Sequence, residues 1–194
     1  ESINARTNKI ECILEESSRL HYQLFVANHH LCETCKRKEL YDCQQVPQKF
    51  EKELSIKLTQ PNAQAFIKCH YLGDDESEFK LTTTQHHQAS ETESFLVIKG
   101  VLDNQAKLVS DNIIIVDKKL TGVLAKQENK NLMLNKNARV ISIPKLKINS
   151  QKVSCSHGAT VSPLDPDALF YLQSRGVGSC EAEQMLVEAF LGWG

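Results

Sequence analysis

The sequence predicts a mainly β fold, a stack of β-coils closed by two short helices, and three observations predict it. Short apolar runs rich in Ile, Val, Leu and Thr recur roughly every ten residues from Lys9 to about Val161. No stretch between those runs repeats with a helical period. Beyond Ser162 the pattern changes to capping residues followed by an apolar stripe.

Taken in order, the predicted strands are Ile10 to Leu14, Leu20 to Val26, Leu54 to Leu58, Ala65 to Tyr71, Phe95 to Val101, Ile113 to Val116, Leu132 to Leu134, Val140 to Ile143 and Leu146 to Ile148. A sandwich, a barrel or a solenoid would each give such spacing. The connections favour the solenoid. From Asp111 to Val153 they carry Asn112, Asn129, Asn131, Asn135, Asn137 and Asn149 but few glycine-based hairpin turns. That suits coils which turn through polar corners and stack their inward side chains on the next rung.

Asp165 is placed to cap a first helix with Pro166 at its first position, where no amide hydrogen is needed, and Gly176 supplies the stop. A second helix is announced by Ser179 as cap and Glu181 and Glu183 in its first turn. Its predicted stripe is Ala182, Met185, Leu186, Ala189 and Phe190. Helices this short depend on a surface to pack against. The predicted organisation is a β-coil core over 1–161 and a small C-terminal α-helical domain over 162–194.

Apolar residues at 41% and charged residues at 24% are the proportions of an ordinary globular chain. The 23 basic and 24 acidic side chains are interleaved, which gives no electrostatic footprint for nucleic acid. Lys36 to Lys38, flanked by Glu33 and Glu39, reads as a solvated loop. No apolar run is long enough to suggest a membrane span, and Glu1 to Ile10 lacks the pattern of a signal peptide. Seven irregularly spaced cysteines read as reduced thiols, so the expected location is cytoplasmic.

Near the end stands Cys155-Ser156-His157-Gly158-Ala159-Thr160-Val161, then Leu164-Asp165, then Ala168 to Gly176. This closely resembles the signature of SufD-type proteins. Thr82 to His87, Lys99-Gly100-Val101-Leu102-Asp103 and Asn131 to Leu134 match in the same order. The SufB branch is similar but carries an acidic residue after the motif's histidine, where this chain has Gly158. The chain therefore resembles the C-terminal half of an iron-sulfur cluster assembly scaffold of the SufB/SufD family, closer to SufD. It departs from the pattern at Ser162 and Pro163, and Leu31 to Pro47 matches nothing in the family.

The resemblance implies a right-handed parallel β-helix, a single-chain solenoid, followed by a small helical domain. Earlier rungs and an N-terminal helical domain would lie outside this sequence. It also implies a non-catalytic scaffold subunit that pairs with a SufB-like chain, or with a second copy as a homodimer when isolated. Its C-terminal helices, Asp165 to Gly176 and Cys180 to Leu191, would dock a SufC-like ATPase. An iron-sulfur cluster would be carried transiently in the assembled complex and not held stably by this chain alone. The histidine matching His157, with the cysteine matching Cys155, is implicated at the interface of the paired subunits.

Residue chemistry agrees with that implication. Thiolate and imidazole are ligands that iron-sulfur clusters accept, and residues two apart on a strand share a face. Two ligands fall short of the four a cluster needs, so a second chain must supply the rest. Phe170, Tyr171 and Arg175 are the predicted ATPase contacts, since aromatic and Arg side chains anchor interfaces.

Other candidates read more simply. Cys32, Cys35 and Cys43, with His29 and His30, hold one Cys-x-x-Cys but lack the second half of a zinc signature, and no zinc ligand set is assigned. Cys69 and His70 are adjacent on a strand and should face opposite sides, while His86 and His87 lack a partner at motif distance. Both pairs read as structural. Asp74, Asp75, Glu76 and Glu78 could suggest a carbohydrate-active β-helix enzyme but read as a solvated turn. No phosphate-binding Gly-rich loop is present, so ATP hydrolysis is not expected of this chain. The remaining alternative is a purely structural homodimer without metal chemistry.

Overall fold

The computed structural model describes residues 9–27 and 49–192. Ten strands precede two helices: β1 (Lys9–Leu14), β2 (Arg19–Ala27), β3 (Lys49–Leu58), β4 (Gln64–Gly73), β5 (Glu78–His87), β6 (Glu93–Leu102), β7 (Lys107–Val116), β8 (Thr121–Met133), β9 (Arg139–Ile148), β10 (Lys152–Pro163), α1 (Pro166–Ser174) and α2 (Ser179–Leu191). The odd strands form one five-stranded sheet and the even strands another. Every pairing is parallel and joins a strand to the next one but one in sequence. Each turn of the chain therefore lays one strand in each wall. This is a β-solenoid, as the strand spacing and polar corners suggested.

Period-two alternation selects which side chains fill the inside. On β3, Leu54, Ile56 and Leu58 are buried while Glu51, Glu53 and Lys57 face out. On β4 the inward set is Ala65, Ile67, Cys69 and Tyr71. Parallel register then stacks equivalent residues into columns, such as Ile56, Gln85, Ile114 and Leu146. In a neighbouring column, the successive members Thr83 and Asn112 are 29 residues apart. The outer faces carry exposed ladder pairs, Lys9 to Glu53 at 2.7 Å and Lys57 to Glu11 at 2.6 Å. Such pairs add little stability each; Lys9 faces Glu53 in register, and Lys57 reaches Glu11 diagonally.

The corners explain the scarcity of turn glycines. Ser17, Asn62, Asp75, Glu91, Asn104 and Lys119 each adopt positive φ, between 48° and 64°. One such residue stands at each of six corners, and neighbouring corners hydrogen-bond to one another, Ser17 N to Pro61 O, Asn62 N to Glu91 O and Glu91 N to Thr121 O. Satisfying those backbone groups coil by coil offsets the left-handed conformation. Gly122, at φ 65°, is the extra residue of β8 where the register to β10 slips between Lys152 and Val153.

Some strands differ from the sequence expectation. β5 replaces a segment read as polar, β10 gives its bounds to the strand expected to carry Cys155 and His157, β9 joins two predicted strands across Pro144, and Leu132 to Leu134 spans the tail of the long β8 and the residue after it. Pro144 fits because β9 lies at the edge of its sheet.

Asp165 caps α1 as expected, accepting from Asp167 N at 2.9 Å, and Gly176 follows at φ 88°. In α2 the cap is Gly178, and Ser179 accepts from Gln173 Nε2 at 3.1 Å instead. The buried side of α2 is partly rotated from the predicted stripe: Ala182 is buried and Phe190 packs inward as expected, but Leu191 and Val187 join them while Met185 and Ala189 are exposed.

Candidate functional site

The stack ends on an unfinished coil. β9 pairs only with β7 and β10 only with β8, so two adjacent strands leave their outer backbone edges unpaired among the described residues. Inward columns that are closed elsewhere are open here. Leu146 and Ile148 continue the columns of Ile114 and Val116, and Val161 continues that of Asn131, yet all three are exposed. Ile141 and Ile143 add exposed apolar surface on the outer side of β9. Five large apolar residues are thus exposed on these two edge strands, three in the inward series and two on the outer side.

Cys155 and His157 both lie on β10, two residues apart, in the inward series that follows Ala125 and Gln127. Cys155 is half-buried against the cluster of Ile114, Val116, Val123 and Ala125, and that burial raises its thiol pKa. Cys155 is thus held mainly as the neutral thiol, and ligation would require loss of its proton. His157 is exposed on the open coil. The pair is two donors on one face. Among the described residues no group of three His, Cys, Asp or Glu comes together to hold a metal.

α2 fixes the helical unit to the outside of the solenoid. Val101, Leu132 and Leu191 are buried together, with Leu72, Leu134, Leu164, Val187 and Phe190 packed around them. Lys99 Nζ donates to Phe190 O at 2.6 Å and lies 5.6 Å from the Phe190 ring centroid. A cation on a helix C-terminal carbonyl satisfies an orphan acceptor and opposes the helix dipole. Desolvation there, with Lys130 and Lys68 nearby, lowers the Lys99 pKa. Sequence reasoning missed this clamp, since nothing in a lone surface lysine points to a helix 91 residues away.

α1, by contrast, buries none of its residues. Phe170 is 72% exposed and Tyr171 58%. The Arg175 guanidinium stands 5.3 Å from the Tyr171 ring, so these two form one cation–π unit beside Phe170. Met185 of α2 is also exposed.

The remaining candidates separate as follows. His29, His30, Cys32, Cys35 and Cys43 lie outside the described residues. Cys69 is wholly buried, its thiol pushed up to about 12 by burial, whereas His70 faces out beside Lys99 and Lys68. They occupy opposite faces as period two requires. His86 Nε2 lies 3.0 Å from Asp117 Oδ1 on the outer face, and His87 is inside. Asp74 to Glu76 form a corner, with Asp74 accepting from Asn104 Nδ2 at 2.5 Å. The neighbouring groove is lined by Glu76 and Glu78 but also by Lys49, Lys107, Lys136 and Arg139, and Glu78 is paired with Lys49 at 3.3 Å. It is a mixed-charge channel, unlike the acidic cleft of a glycosidase.

Comparison with known proteins places this architecture. Residues 6–190 match the family described as SUF system FeS cluster assembly, SufBD core domain. An iron-sulfur cluster assembly SufBD family protein of Synechocystis is 35% identical over 58% of this chain. The SufD proteins of Escherichia coli and Bacillus subtilis are 36% and 32% identical over 47% and 62% of it. The matches span only 22% to 28% of those relatives' own length. With a parallel β-solenoid, a two-helix C-terminal unit and a family match along nearly its whole length, the chain belongs to the SufBD core family of iron-sulfur cluster assembly proteins.

Proposed function

We propose that this chain is a non-catalytic scaffold segment that pairs through β9 and β10 with a SufB-like chain or a second copy. Cys155 and His157 then contribute two of the ligands for an iron-sulfur cluster in transit, and the partner completes the set. α1 holds an ATPase similar to SufC. The observation that carries this reading is the open last coil, where unpaired strand edges, exposed inward apolar residues and a soft ligand pair occur together. Edge pairing satisfies the backbone groups and covers the apolar columns at once. Exposed Phe170, Tyr171 and Arg175 have the chemistry of interface anchors.

Two variants test the parts separately. His157→Ala, an exposed change, is expected to leave the folded chain and its pairing intact while iron and sulfide recovered with the purified complex fall. Full cluster content in that variant would leave His157 no ligand role. Phe170→Ala is expected to weaken capture of the SufC-like ATPase at least tenfold, about 1.4 kcal/mol or more. Titration by calorimetry reads this directly, and an unchanged Kd removes Phe170 from the contact.

A further inference from the structure

The interior of the solenoid is not uniformly apolar. In the fourth coil, formed by β7 and β8, Asn129 Nδ2 donates to Ser110 Oγ at 2.6 Å and to Ser142 Oγ at 2.8 Å across the core. Two levels further along, Ile114 and Val116 pack with Val123 and Ala125. Period two in both walls puts Asn112 and Gln127 at the level between. Both are buried, at 0% and 1% exposure.

Asn112 Oδ1 accepts from Thr83 Oγ1 at 2.9 Å, which leaves its Nδ2 as the free end. Asn112 Nδ2 and Gln127 Oε1 are both buried without a protein hydrogen-bond partner. One is a donor and the other an acceptor, on inward positions of opposite walls at the same level. Gln85 Nε2 and Oε1 in the third coil and Asn131 Oδ1 in the fourth are orphaned likewise. Left dry, these penalties together would rival the whole folding free energy of a domain.

We propose that a buried water molecule sits between the two walls here, accepting from Asn112 Nδ2 and donating to Gln127 Oε1. The ligand must be small, neutral and able both to donate and to accept. A cation is disfavoured because no acidic side chain stands among the register neighbours of the two amides, Thr83 and Pro144 beside Asn112 and Leu96 and His157 beside Gln127. Buried water uses two to four polar partners, and this level supplies two. Gln127 is paired in register with His157 and Asn112 with Pro144, so the water lies one strand beneath the open coil. The inference does not depend on the scaffold reading.

Water–amide cross-relaxation in the isotope-labelled 194-residue chain tests it. The side-chain amides of Asn112 and Gln127 are expected to show cross-peaks to a long-lived water. Their absence at resolved Asn112 amide protons overturns the proposal. Gln127→Leu gives a second readout. In a hydrated level it strips the water from Asn112, removes that cross-peak and lowers the unfolding midpoint. In a dry level it removes an unpaired acceptor and raises the midpoint, which also overturns the proposal.

Discussion

Phe79→Ala is expected to lower the unfolding free energy by roughly 3–5 kcal/mol, measured by urea denaturation. Phe79 is 1% exposed, and its ring centroid lies 5.7 Å from that of Tyr71 in a tilted arrangement. The ring is held from a second side as well, because a Cβ at Gly73 would stand 2.5 Å from Phe79 Cε2. Truncation opens a void between two walls tied by continuous ladders, and such walls collapse poorly. The same truncation at Phe170, on the exposed face of α1, is expected to change stability by no more than about 0.5 kcal/mol. A loss under about 1 kcal/mol at Phe79 would mean that the coil closes over the gap.

The second large effect is on pH dependence and comes from His87. Its Nδ1 lies 2.8 Å from Thr92 Oγ1 and its Nε2 2.8 Å from Ser94 Oγ. Thr92 spends its own hydroxyl proton on Ala89 O at 3.0 Å, so its oxygen accepts from Nδ1–H. Nε2 is then the acceptor of the Ser94 hydroxyl, and the imidazole is neutral. Burial first, and His86 second, lower the His87 pKa from 6.5 to about 4. Below pH 6.5 the unfolded chain takes up a proton that the folded chain refuses. Stability is therefore unaffected by His87 above that value, falls as pH drops from 6.5 to about 4, and levels off below. The total is roughly 3 kcal/mol. In His87→Gln that part of the slope is expected to vanish when urea midpoints are compared across the window. An identical slope in both proteins would assign it to other groups.

His87 also shows why part of the fold was hidden in the sequence. Runs such as Leu54 to Leu58 announce strands because their inward residues are apolar and their outward ones are not. β5 follows the same rule with Phe79 and Leu81 inside, but then places Thr83, Gln85 and His87 there. Its polar interior removes the contrast on which periodicity relies. β8 is masked in the same way by Gln127, Asn129 and Asn131. β10 is masked differently: as a terminal strand it has little to bury, so Cys155, His157 and Ala159 gave no apolar signal. Its motif residues were legible through resemblance, and their shared strand through spacing. The cap at Asp165 was readable because it is local. The rotation of α2 was not, since Val101 and Leu132 decide it from distant coils.

The anchorage of α2 has a mechanical side. Its grip on the solenoid runs through Leu72, Val101 and Leu132 on β4, β6 and β8, with Lys99 as a tether, and no residue of β10 belongs to that apolar contact among the described residues. Any load on α1 has two routes into the stack: through α2 into β4, β6 and β8, and through the short link of Leu164 and Asp165 into β10. Because β10 is laddered to β8 along its length, the rim bearing Cys155 and His157 and the seat of the helices rest on the same strand.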